Sequence, residues 1–133
     1  MERINHLAVI VAAVVYFLLG WLWYTVFRSA WMAYNGLTAN TVSPMILVAT
    51  FVIGLVIAYV IAMALSRSPN PTAMGGVQFG LISGIGFVAL SMLMGFINEG
   101  RPLGLWAIDA GYIVVGFVIM GAIIAGWRKS TRA

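Results

Sequence analysis

The sequence predicts an all-α integral membrane protein, a four-helix bundle of up-down antiparallel topology, and three observations carry that prediction. Four apolar stretches, Ile4 to Phe27, Pro44 to Leu65, Met74 to Ile97 and Leu105 to Trp127, fill most of the 133 residues. A helix rises about 1.5 Å per residue and the hydrocarbon layer is about 30 Å thick, so roughly 20 residues cross it and each stretch is long enough. Asp109 is the sole formal charge inside any of the four. The composition agrees: 63% hydrophobic residues, 8% charged and a mean hydropathy of +1.07 leave too little polar surface to clothe a water-soluble domain of this size.

Span 1 holds no proline and is rich in Val, Ile, Ala and Leu, so its backbone groups can all be satisfied within one helix, which Arg28 ends. A cleaved signal is not expected there, because Glu2 offsets Arg3, the apolar run exceeds the roughly 7 to 15 residues of a signal core, and no small-x-small site follows Leu22. The connection from Ser29 to Ser43 begins with Trp31, Met32 and Tyr34, which predicts a short interfacial helix broken at Gly36. Pro44 suits a first helical turn and Ser43 an N-cap, so span 2 begins there. It stops at Ser66-Arg67-Ser68-Pro69-Asn70-Pro71, a stiff turn that predicts spans 2 and 3 as direct neighbours. Span 3 ends at Asn98, where Glu99, Gly100, Arg101 and Pro102 form a tight turn into span 4, so these two also pair. Residues 1–133 thus read as a single membrane unit with no room for a soluble catalytic domain.

Basic residues set the expected orientation. Arg3, Arg67, Arg128, Lys129 and Arg132 fall on the side of the termini, and Arg28 and Arg101 on the other. Both termini are therefore expected on the cytoplasmic side of the membrane. The outer end also receives most of the aromatic residues, with Trp23, Trp31 and Trp106 as expected interfacial anchors and Trp127 as their counterpart on the inner side.

Composition narrows the chemistry. Without cysteine there is no disulfide, thiolate or cysteine-based metal site, and His6 alone builds no metal site within one chain. The net charge of +4 resides at span ends, where it matches anionic headgroups and not nucleic acid. No phosphate loop, Ser/His/Asp set or pair of carboxylates within a span is present, so no enzyme activity is expected.

Gly76, Gly80 and Gly84 form two overlapping G-x-x-x-G units on one face of span 3, and Gly111 extends Ala107-x-x-x-Gly111 on span 4. Lipid gives helices no hydrophobic reason to associate, so such faces hold them by close backbone approach. They serve either packing of spans 3 and 4 or contact with a second copy or partner. Phe51 to Ile57 of span 2 aligns with Ile113 to Ile119 of span 4, the pattern a duplicated hairpin would leave. Asp109 is the residue whose presence most needs a reason, since a charge at a helix centre costs about 2.5 to 3.5 kcal/mol on insertion scales. Tyr24, Trp21, Asn98 and Arg101 are its expected polar neighbours. They make it either a structural lock or a proton or cation site.

At Ile4-Asn5-His6-Leu7-Ala8-Val9, Gly20-Trp21-Leu22-Trp23-Tyr24 with Trp31-Met32 after it, and Asp109-Ala110-Gly111-Tyr112, the chain resembles a bacterial family of small membrane proteins, domain-of-unknown-function family 1761. The resemblance implies a four-helix membrane domain with no assigned reaction. Its pattern commonly has a tryptophan where this chain has His6 and an asparagine where it has Asp109. The first expectation for function is a non-enzymatic accessory or structural subunit that packs in the bilayer against itself or a larger complex. The alternative is a small oligomeric transporter or channel with Asp109, Tyr24, Trp21 and Asn98 lining an outward polar cavity, and a third reading is a bound lipid, quinone or pigment in the aromatic region.

Overall fold

A computed structural model describes residues 4–36, 43–68 and 72–127. Among these residues five helices are formed: α1 (His6–Val26), the short α2 (Arg28–Asn35), α3 (Pro44–Leu65), α4 (Ala73–Glu99) and α5 (Leu103–Gly126). All but α2 are long and apolar enough to cross a membrane, which makes lipid the surroundings of most of this chain.

Side-chain oxygens start three of these helices by accepting from amides that lack a partner in the first turn. Asn5 Oδ1 accepts from Leu7 and Ala8 N–H at 3.1 and 3.3 Å, Ser43 Oγ from Ile46 N–H at 3.2 Å ahead of Pro44, and Thr72 Oγ1 from Gly75 N–H at 3.0 Å. Gly36 (φ 68°) and Gly100 (φ 67°) end α2 and α4 in the left-handed region that side chains disfavour. The helix of span 1 ends at Val26 and its successor restarts at Arg28, one residue ahead of the expected connection.

In α4 the regular helix widens into a π segment over Gly84–Ala89 before resuming at Leu90. Its buried positions Gly76, Gly80, Gly84, Ala89 and Phe96 show why: the step from 84 to 89 is one residue longer than the two before it, and the wide turn absorbs that residue.

The hub of the molecule is α5. It touches every other helix, and only Leu103, Ala107 and Gly126 along it are exposed. The expectation that spans 2 and 3 are direct neighbours is corrected, because α3 lies on α1 and α5 while α4 lies on α5, with no run of contact between α3 and α4 among the described residues. A short turn fixes only one end of a helix pair, and the glycine face of α4 draws it to α5. A Cβ on Gly76 would overlap the Gly121 carbonyl, and one on Gly80 would stand 2.5 Å from the Phe117 carbonyl oxygen. That face is thereby filled from within the chain.

The core gathers at one end of the bundle: Val9, Ala12 and Ala13 of α1, Ala58, Ile61 and Ala62 of α3, and Met120, Ile124 and Ala125 of α5. There the Asn5 amide donates to the Trp127 carbonyl at 2.7 Å, and His6 Nδ1 and the Tyr59 hydroxyl share a 2.8 Å hydrogen bond. Toward its other end α3 parts from its neighbours, and residues 43–50 are all exposed. Arg3, Arg128, Lys129 and Arg132, on which the expected orientation rests, lie outside the described residues, as does the 69–71 part of the proline turn.

Candidate functional site: an aromatic cleft around Asp109

Where α3 diverges, a cavity of about 870 Å³ opens between α1, α3 and α5, with Met92 of α4 at its edge. Helical spacing supplies its inner wall. Tyr16, Gly20 and Tyr24 recur every four residues on one face of α1, and Asp109, Tyr112 and Gly116 share a face of α5. The two faces interlock through glycines. The Tyr16 ring occupies the space a Cβ on Gly116 would need, and the Tyr112 hydroxyl would stand 2.8 Å from a Cβ on Gly20. The rings of Tyr16 and Tyr112 stack at 4.8 Å and 4° between planes, and the Tyr112 hydroxyl donates to the Tyr16 carbonyl at 2.9 Å.

Asp109 lies six residues into α5, roughly 9 Å below its start by helical rise. The Tyr24 hydroxyl donates to its Oδ1 at 2.7 Å, a distance that suits a hydroxyl on a carboxylate. Tyr24 is held edge-on by Tyr112 at 5.6 Å and by Trp31 at 6.0 Å. Trp21, Thr25, Arg28 and Trp31 line the same cavity from the α1–α2 side, and Ile46, Leu47 and Thr50 from α3. Trp21 is 70% exposed, toward the gap that α3 leaves.

Two expected neighbours of Asp109 are elsewhere. The Asn98 amide donates one turn back to the Met94 carbonyl at 2.8 Å, and the Arg101 guanidinium stands 4.5 Å above the Phe96 ring. Both sit at the end of α4, and each finds a partner in the turn before it. Of the four tryptophans expected at the interface, two point into the bundle. Trp23 Nε1 donates to the Ile108 carbonyl at 2.9 Å with its ring over Gly111, and Trp106 Nε1 donates to the Ala89 carbonyl at 2.9 Å, where the π segment closes. Trp31 faces the cavity, and Trp127 is partly exposed at the end of α5. Tyr16, Tyr112, Arg28, Thr50 and Met92 were not expected from the sequence at this site. For Tyr112 a signal existed, since it follows Asp109 by three residues and so shares its face.

A carboxylate set into an aromatic cleft among apolar helices defines a small multi-pass helical membrane protein with an intramembrane polar site. The chain belongs to the family described as Protein of unknown function (DUF1761), which matches residues 7–125. No curated protein and no solved structure matches it.

Proposed function

We propose that this chain is a non-enzymatic membrane protein that binds a lipid-soluble amphiphile in the cleft around Asp109. One observation carries the reading: α3 leaves its first two turns unpacked beside the only intramembrane charge, so the carboxylate adjoins a space of ligand size instead of a filled core. An aspartate kept only as a lock would be expected to sit in packed surroundings. The chain offers one histidine and no cysteine, which supports binding over catalysis.

Two settings for such binding are an accessory subunit of a larger or homo-oligomeric membrane complex and a small oligomeric transporter. Placement of Asp109 in a cavity favours the second. The internal use of the Gly76, Gly80 and Gly84 face leaves the first with only the lipid-facing sides for a partner. We further propose an up-down antiparallel bundle in a bacterial cytoplasmic membrane with both termini inside. The Asn5 to Trp127 contact at one end and the Tyr24 to Asp109 contact at the other support the helix directions, and the five-to-two distribution of basic residues supports the sidedness.

The test is photolabelling in lipid nanodiscs with an uncharged diazirine-bearing diacylglycerol, followed by peptide mapping. Label concentrated on Ile46, Leu47 and Met92, and reduced at least threefold by Thr50→Trp, is the expected result. Even labelling of all lipid-facing residues, unchanged by Thr50→Trp, would overturn the reading.

A further inference from the structure

We infer that the ligand of this cleft is a monovalent lipophilic cation of the quaternary ammonium or phosphonium type, an inference that rests on the binding role proposed above. The cavity is lined by a single carboxylate and by six aromatic side chains, Tyr16, Phe17, Trp21, Tyr24, Trp31 and Tyr112. Ring faces carry negative charge density, so they attract a cation and repel an anion, and the attraction grows where water is excluded.

Three of the hydroxyl groups that line the cavity point the same way. Tyr24 O–H is committed to Asp109, Tyr112 O–H to the Tyr16 carbonyl and Thr25 O–H to the Trp21 carbonyl at 2.6 Å. With their protons engaged, these oxygens have only lone pairs to offer a ligand. A wall of rings, lone pairs and a carboxylate suits a positive charge, and the excess of rings over oxygens favours one spread over apolar groups.

Arg28 is the opposing charge. It begins α2, is exposed, and lies at the headgroup end of α1, where water and salt screen it. Asp109 lies deeper, where screening is weaker and its field decides which ion enters. The arginine at the rim then lowers cation affinity without reversing the preference. Access through the gap beside α3 requires a ligand that dissolves in lipid, which a cation with its charge buried among apolar groups does.

The experiment is isothermal titration of the purified chain in a non-ionic detergent with three probes of similar size: tetraphenylphosphonium, tetraphenylborate and neutral triphenylphosphine oxide. Tetraphenylphosphonium is expected to bind at least tenfold more tightly than either other probe. Asp109→Asn should weaken it at least tenfold, Asp109→Glu should keep it within about threefold, and Arg28→Gln should tighten it, all in variants that remain monodisperse on gel filtration. Tighter binding of tetraphenylborate or the neutral probe, or an Asp109→Asn variant with unchanged phosphonium affinity, would overturn the cation inference while leaving an amphiphile-binding cleft in place. Binding of none of the three would overturn the cation inference, and even photolabelling besides would overturn the binding role as well.

Discussion

Glycine does two different jobs along α4, and substitution separates them. Gly80 faces the Phe117 carbonyl and Val118 Cα so closely that any side chain must push the helices apart, whereas a Cβ on Gly86 meets nothing within 4 Å. Gly80→Val is expected to destabilise the protein by about 3 kcal/mol, the upper range for overpacking, because backbone atoms cannot rotate aside. Gly86→Ala is expected to be neutral or to add up to about 1 kcal/mol through helix propensity. Thermal unfolding of both variants in the same detergent checks the contrast, and equal losses would refute it. At this scale Asp109 was the most legible residue, being the single charge in four apolar runs. Asn98 misled, because a helical asparagine that bonds the carbonyl one turn back has no need of a distant partner.

The elements themselves were readable from hydropathy and capping. Ser43-Pro44 and Gly36 mark real helix limits, and the glycine triplet does lie on one face. Two features were not readable. In lipid both the packed and the free side of a helix are apolar, so hydropathy does not say which neighbour a span chooses, and the parting of α3 from α4 left no trace in the pattern. The π segment was equally silent, since it shows only in the spacing of buried positions. Its role is open to a direct test. Deleting Gly86 should remove the residue that the wide turn absorbs, so that 84 to 89 becomes an ordinary four-residue step and Ala89 and Phe96 keep their face toward α5 with little loss of stability. Inserting one alanine after Gly86 should instead rotate Leu90–Glu99 by about 100°, take Phe96 from α5 and Trp106 from the Ala89 carbonyl, and cost at least ~2 kcal/mol in thermal unfolding. A deletion variant as unstable as the insertion would show that the wide turn does more than absorb a residue.

For the molecule as a whole, the arrangement of helices around α5 is testable because the chain contains no cysteine to interfere. A Cβ on Gly126 would lie 3.1 Å from that of Ala73, near the usual disulfide range. Ala73→Cys with Gly126→Cys should therefore crosslink rapidly under mild oxidation, seen as a mobility shift reversed by reductant. A control pair at lipid-facing positions of α3 and α4, Val52→Cys with Ile82→Cys, should not crosslink within a chain. The opposite outcome would move α4 from α5 to α3.

The central position of α5 also bears on how the protein is made. A ribosome delivers α1, α3 and α4 to the bilayer first, yet each depends on α5 for much of its contact, and α4 for nearly all of it outside itself. Until that last helix arrives, the glycine stripe of α4 stays open to lipid and to any neighbouring nascent chain. A polypeptide halted before residue 103 would leave α4 unmated and the α1–α3 pair without the helix that joins it to α4, a target for quality-control proteases.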